Sequence, residues 1–227
     1  MFKYTLTIWI ELICFVMCLI YLRADKGWWK NFSWFLLVTV LTEATGFYIH
    51  FGYRPGHSNE WLYNLYLPVE MAFLCLLLYR IMKTYGMSVA WFIGAYAVFL
   101  CIYLVESTGN RFLHYSGLSN MFASIMIVVC CCLFYYYLLR ANDYIDLPVY
   151  GPFWLISGLF IFYFGSTGLN SFLEPLKKIY ETTGIPVRFI IMVVLNFILY
   201  ACWSYAFICR NRNKISSSPL SSSRPSF

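Results

Sequence analysis

Glu11, Glu43 and Glu70 stand inside apolar runs, and Glu70 follows Pro68 by two positions. An ionisable side chain in a hydrocarbon environment is expensive and by default marks a functional site. A carboxyl group there binds a cation, relays a proton or holds a neighbouring helix by a hydrogen bond. Pro68 contributes a second kind of chemistry. It lacks an N–H, so the carbonyl four residues back, that of Asn64, loses its helical partner and becomes a free acceptor, while the local break offers a hinge. Asn196 is a further amide in an apolar run. At about 1.5 Å per residue from the start of each run, Glu43 lies about 15 Å deep, Glu70 and Asn196 about 13 Å and Glu11 about 10 Å. In a core roughly 30 Å thick these groups converge near the midplane, with Glu11 slightly nearer one face.

Helical periodicity points the same residues inward. Tyr4, Thr7, Glu11, Cys14 and Cys18 recur at spacings of three and four and form one polar stripe, as do Thr39, Thr42, Glu43, Gly46 and His50. Thr42 and Gly46, four apart, are a small-residue pair that lets another helix come close. Tyr63, Tyr66 and Glu70 share a face, so a phenol from the same helix is expected to donate to the Glu70 carboxylate. The candidate site is therefore Glu11, Glu43, Glu70, Asn64, Asn196 and Tyr66, with Pro68 as hinge. Burial penalises the charged carboxylate and no Lys or Arg is expected at this depth. Glu43 and Glu70 are thus expected to be largely protonated, or to share a proton, when no ligand is bound. Infrared carboxyl bands test this, and two fully ionised groups at neutral pH would refute it.

Other chemistries find no support. A retinal protein needs a lysine in its last span, and residues 189–208 have none. His50, His57 and His114 are expected at the rim without a paired spacing, so no metal site follows. The nine cysteines all lie in or at the ends of apolar runs, which disfavours a disulfide framework. Successive Cys130, Cys131 and Cys132 point three ways around a helix and suit packing, not chelation. No nucleophile elbow or phosphate loop is present, so neither an enzyme nor a cofactor is expected.

The elements that must carry these residues follow from composition. The chain has 227 residues, 61% of them hydrophobic, 22% aromatic and only 11% charged. That is far below the roughly 25% charge of soluble domains and predicts a polytopic all-α membrane protein. Apolar runs at residues 4–22, 33–51, 61–79, 87–105, 117–139, 152–172 and 187–208 predict seven transmembrane helices within residues 1–210, followed by a Ser- and Pro-rich disordered cytoplasmic tail at 211–227. Arg23, Asp25 and Lys26 follow the first run in place of a small-residue cleavage site, so it is expected to be retained. The connections are short and hold turn formers such as Gly52, Pro55, Gly56, Gly109, Asn142, Pro148, Pro175 and Gly184.

The net charge of +6 comes from cations set singly or in twos, without the basic face that nucleic acid requires. One side of the predicted membrane holds ten, Arg23, Lys26, Lys30, Arg80, Lys83, Arg140, Arg210, Arg212, Lys214 and Arg224; the other holds six, Lys3, Arg54, Arg111, Lys177, Lys178 and Arg188. The positive-inside rule then sets the N-terminus outside and the C-terminus in the cytoplasm of a cell inner (plasma) membrane. Trp28, Trp29, Trp34 and Trp61 read as interface anchors.

The stretch from Asn64 through Pro68 to Glu70, and that from Pro152 through Ser157 and Gly158 to Tyr163, resemble a group of uncharacterised bacterial seven-helix integral membrane proteins, some similar to membrane modules that precede signalling kinases. The resemblance implies a receptor or sensor-like module that binds a small ligand and acts through a membrane or cytoplasmic signalling partner. The chain departs from such kinases by ending soon after its last span, so output is expected to come from that partner. The alternatives are a proton-coupled secondary transporter, for which no internal repeat of the carboxyls is found, and a structural or assembly subunit.

Overall fold

The computed structural model describes residues 2–23, 25, 27–53, 59–109, 116–140 and 145–216, among which regular structure is entirely helical. The helices are α1 (Phe2–Leu22), α2 (Asn31–Tyr48), α3 (Glu60–Met82), α4 (Val89–Gly109), α5 (Gly117–Arg140), α6 (Gly151–Ser171), α7 (Leu173–Thr183) and α8 (Val187–Ser216). Six stretches, built on α2 to α6 and α8, are long and apolar enough to cross a membrane, and α1 carries a shorter apolar stretch, Leu6–Leu22. The chain is thus a multi-pass helical membrane protein.

Two boundaries differ from the sequence expectation. The connection before the last span contains a helix of its own, α7. Pro175 reads as a turn former, but it sits in the first turn of α7, where its missing N–H has no helical partner to lose. Gly184 ends α7 with a φ of +68°, a conformation glycine adopts without strain. The last helix runs on to Ser216, so residues 211–216 continue it and the expected tail at 217–227 lies outside the described residues. Arg54, Pro55, Gly56, His57, Arg111, His114 and Asn142 also lie outside them.

Alternation of the helices sets the start of α1 at one end of the bundle, here its N-terminal end, and the end of α8 at the other, its C-terminal end. Packing runs in a closed ring from α1 through α2, α3, α5 and α6 to α8 and back to α1, while α4 packs outside against α3 and α5. At the N-terminal end the Glu106 carboxylate of α4 accepts the backbone N–H groups of Leu118 and Ser119 at 2.9 and 2.8 Å. It thereby satisfies donors that the first turn of α5 leaves unpaired. At the C-terminal end the buried Asp25 carboxylate accepts from the Gly27 N–H at 2.9 Å and from Arg210 Nε at 3.0 Å, tying the α1–α2 connection to α8. The Arg210 guanidinium also covers the Trp29 ring. Trp29 is therefore buried in this joint and is not the lipid-facing anchor expected, whereas Trp34 and Trp61 are exposed.

The two halves of the bundle differ in character. Toward the C-terminal end the core is aromatic: Phe35 stacks on Phe73 at 4.0 Å, and Phe32 meets Phe73, Trp203 and Phe207 edge-on. Toward the N-terminal end the same helices present carboxyls, phenols and amides. Of the cysteine run, Cys131 is buried, Cys130 half-buried and Cys132 exposed, the three directions expected of packing residues.

Candidate functional site

The polar half encloses a cavity of about 260 Å³. It takes Thr7 and Glu11 from α1, Thr39 and Glu43 from α2, Tyr63, Tyr66 and Glu70 from α3, Asn120 and Ser124 from α5, Tyr163, Ser166 and Asn170 from α6, and Arg188, Asn196 and Tyr200 from α8. The three glutamates and Asn196, separated by up to 185 positions in sequence, thus share one chamber, as their depth and faces predict.

Each carboxyl group receives one phenol. Tyr63 donates to Glu43 Oε2 at 3.1 Å, Tyr163 to Glu70 Oε1 at 2.8 Å and Tyr200 to Glu11 Oε1 at 3.3 Å. Only the first donor belongs to the face that the sequence suggested, and it serves Glu43 rather than Glu70. Tyr66, expected to donate to Glu70, lines the cavity but shares its hydroxyl hydrogen bond with Thr39 at 2.7 Å. The Thr39 hydroxyl in turn donates to the Phe35 carbonyl. Glu11 is 2% exposed, and its second oxygen, Oε2, has no hydrogen-bond partner.

Asn64 departs from expectation. It is fully buried, and its side-chain oxygen accepts the Ser116 N–H at 3.1 Å. Its carbonyl is taken by the Tyr103 hydroxyl of α4 at 2.8 Å. The acceptor that Pro68 frees therefore faces α4 and not the cavity, because α4 packs on the outer side of α3. A second α4 phenol, Tyr96, donates to the Pro68 carbonyl at 3.3 Å. Pro68 itself sits within a continuous helix, Glu60–Met82.

Two neighbouring cavities share lining residues with the chamber. One, of about 370 Å³, shares Thr7, Glu43 and Tyr63 with it and adds His50 and Asn59. It is bordered by a π-helical turn, Ile49–Tyr53, a widened helical form that recurs at functional sites. Gly46 makes room here: a Cβ on it would stand 2.9 Å from the Tyr63 hydroxyl, so the small residue positions the phenol that serves Glu43. The other, of about 400 Å³, shares Asn120, Ser124, Asn170 and Arg188. Arg188, second residue of α8, sets a guanidinium at this rim and donates to Asn170 Oδ1 at 3.3 Å. The sequence counted it only toward topology. Tyr163 and Tyr200 were not read as site residues, and their partners, 93 and 189 positions away, offer no local sign of them.

Among the described residues no group of three His, Cys, Asp or Glu side chains stands close enough to hold a metal ion. Comparison with protein-family models, curated proteins and solved structures finds no match to this chain.

Proposed function

We propose that this chain is a seven-span receptor or sensor-like module of a plasma membrane, with its N-terminus outside and its C-terminus in the cytoplasm. It binds a small ligand in the carboxyl cavity and passes the change to a membrane or cytoplasmic partner. One observation carries the reading: Glu11, Glu43 and Glu70, on three separate helices, line one chamber of ligand-accommodating size. Each carboxyl is paired with one phenol across a helix crossing, as helix-to-helix glue would be, but the three also surround one open volume, which is costly unless something enters it. The aromatic layer of Phe32, Phe35, Phe73 and Trp203 lies between this chamber and the C-terminal end, an arrangement suited to relaying a rotation of α2, α3 or α8.

Proton-coupled transport is the second reading, supported by the same carboxyls and by Pro68 in a cavity-lining helix. The cavity at the C-terminal end, between Trp29, Arg80 and Arg210, shares no lining residue with the chamber, which favours binding and relay. Glu43→Ala and Glu70→Ala separate the readings. In purified protein the expected result is a melting transition within a few degrees of wild type, with loss of the thermal shifts that a panel of small amphiphiles produces. Variants that fail to fold at all would instead make the chain a structural or assembly subunit. Accumulation of the same compounds in proteoliposomes under an imposed pH gradient would shift the reading to transport.

A further inference from the structure

The ligand's chemistry can be read from the hydrogen-bonding capacity the chamber leaves unused. Several of its own donors are already committed. Ser124 donates to the Asn120 carbonyl, Ser166 to the Tyr163 carbonyl and the Asn196 amide to the Met192 carbonyl, at 2.8, 3.1 and 2.9 Å. The phenols of Tyr63, Tyr163 and Tyr200 are committed to the glutamates. Lone pairs are left over on the carboxyl oxygens, the phenol and hydroxyl oxygens and the amide oxygen of Asn196, and three carboxyl groups make this wall rich in them. Glu11 Oε2 is the sharpest of these. It is buried and has no partner, its residue lines the chamber, and an unmade hydrogen bond at such a site is costly.

We infer that the chamber takes a small organic cation, a protonated primary or secondary amine with an apolar body. This deepens the proposed binding role and rests on it. An ammonium supplies several donors and no acceptor, the complement of a wall that holds three carboxyl groups. The carboxyl that pairs with it ionises on binding, its proton passing to water, so the buried pair is neutral. Tyrosine faces around the chamber offer the ring quadrupole that also attracts ammonium groups, and Leu67 and Phe162 provide an apolar wall for the rest of the molecule. A volume of about 260 Å³ lies just below the usual range for drug-sized ligands, about 300–1,000 Å³, which limits that body to roughly one ring. Arg188 at the rim, held by Asn170, sets a like charge at the entrance and so favours a monoamine over a diamine.

The test compares three probes of one shape on the purified full chain in lipid nanodiscs: 2-phenylethylamine, 2-phenylethanol and phenylacetate. The expected result is saturable binding of the amine by calorimetry, with the alcohol and the acid weaker by roughly tenfold or more. Glu11→Gln, which keeps the shape of the side chain, is expected to weaken the amine by a similar factor while leaving the alcohol unchanged. Equal binding of amine and alcohol overturns the cation inference but leaves a ligand chamber in place. Binding of sodium or calcium in place of the amine overturns the organic ligand. Failure of all probes and ions to bind wild type overturns the inference and the proposed binding role together. Because the probe series is read on wild type, a variant that does not fold cannot rescue or sink the inference.

Discussion

Replacing Tyr103 by Phe is expected to destabilise the protein by about 1–2 kcal/mol, and most of that loss is expected to disappear when Pro68 is also replaced by Ala. The reasoning begins with the proline. Position 68 cannot donate to the Asn64 carbonyl, and a carbonyl left unpaired away from water is costly. Tyr103 reaches across from α4, 2.8 Å away and 5% exposed, and supplies the missing donor. Phe at this position keeps the ring and its packing against Phe99 but removes that donor from a buried carbonyl. Hydrogen bonds between membrane helices average about 0.6 kcal/mol and reach about 1.7, and one made to a buried carbonyl that a proline deprives of its helical donor belongs at the high end of that range. In the Pro68→Ala background the N–H of residue 68 returns to the Asn64 carbonyl, so the phenol no longer has a vacancy to fill. Tyr96→Phe is the internal control: it removes a donor from the Pro68 carbonyl, which the N–H of residue 72 still reaches in the ordinary helical pattern, and is expected to cost less. Unfolding in mixed micelles, read as a double-mutant cycle, measures the coupling. Equal Tyr103→Phe losses in both backgrounds would show that the proline and the phenol act independently.

That joint also shows how far a sequence can be read. Pro68 alone announces that the Asn64 carbonyl lacks its usual helical donor, but not on which side of α3 it emerges. The answer depends on α4 lying outside the ring, a matter of tertiary packing. The carboxyls were legible for a stronger reason. A charged group cannot face lipid cheaply, so Glu11, Glu43 and Glu70 had to point inward, and helical rise then set their depth. Their phenol donors were hidden by abundance: the chain has 20 tyrosines, and nothing in the sequence distinguishes Tyr163 or Tyr200 from those that merely pack. Trp29 misled for the same reason, because an aromatic near a span boundary reads as an anchor until Asp25 and Arg210 are seen to close over it. The helix α7 was masked by Pro175 and by charges at Lys177, Lys178 and Glu181, which look like a loop unless Leu176, Ile179 and Tyr180 are noticed at a spacing of three and four.

A further regularity does lie in the sequence, and it carries the second large effect. Gly151, Gly158 and Gly165 recur every seven residues along α6, and all three abut α8. A Cβ at Gly151 would stand 3.2 Å from the Ala206 carbonyl oxygen, and one at Gly158 would stand 3.0 Å from Cys202 Cβ and 3.2 Å from the Leu199 carbonyl oxygen. At Gly165 the obstacle is the Leu195 side chain, which can rotate away, whereas at Gly158 it includes backbone that cannot. Small residues at such a seam let two backbones approach, and dispersion between them is the main attraction available inside a bilayer. Gly158→Leu is therefore expected to cost about 3 kcal/mol or more, at the upper end of overpacking, while Gly168→Leu, with nothing within 4 Å of its Cβ, costs little. Gly158→Ala is the more informative change, since it needs a shift of only a few tenths of an ångström and leaves the fold intact. The seam bears directly on the chamber: Tyr163 lies five residues further along α6, and its hydroxyl holds Glu70 at 2.8 Å, while Asn196 and Tyr200, next in sequence to the seam residues Leu195 and Leu199, line the chamber from α8. Parting the two helices at Gly158 moves both walls at once. Gly158→Ala is thus expected to weaken ligand binding several-fold with a melting temperature nearly unchanged. Unaltered binding in a correctly folded Gly158→Ala protein would mean that the α6–α8 seam holds the bundle together without setting the geometry of the carboxyl cavity.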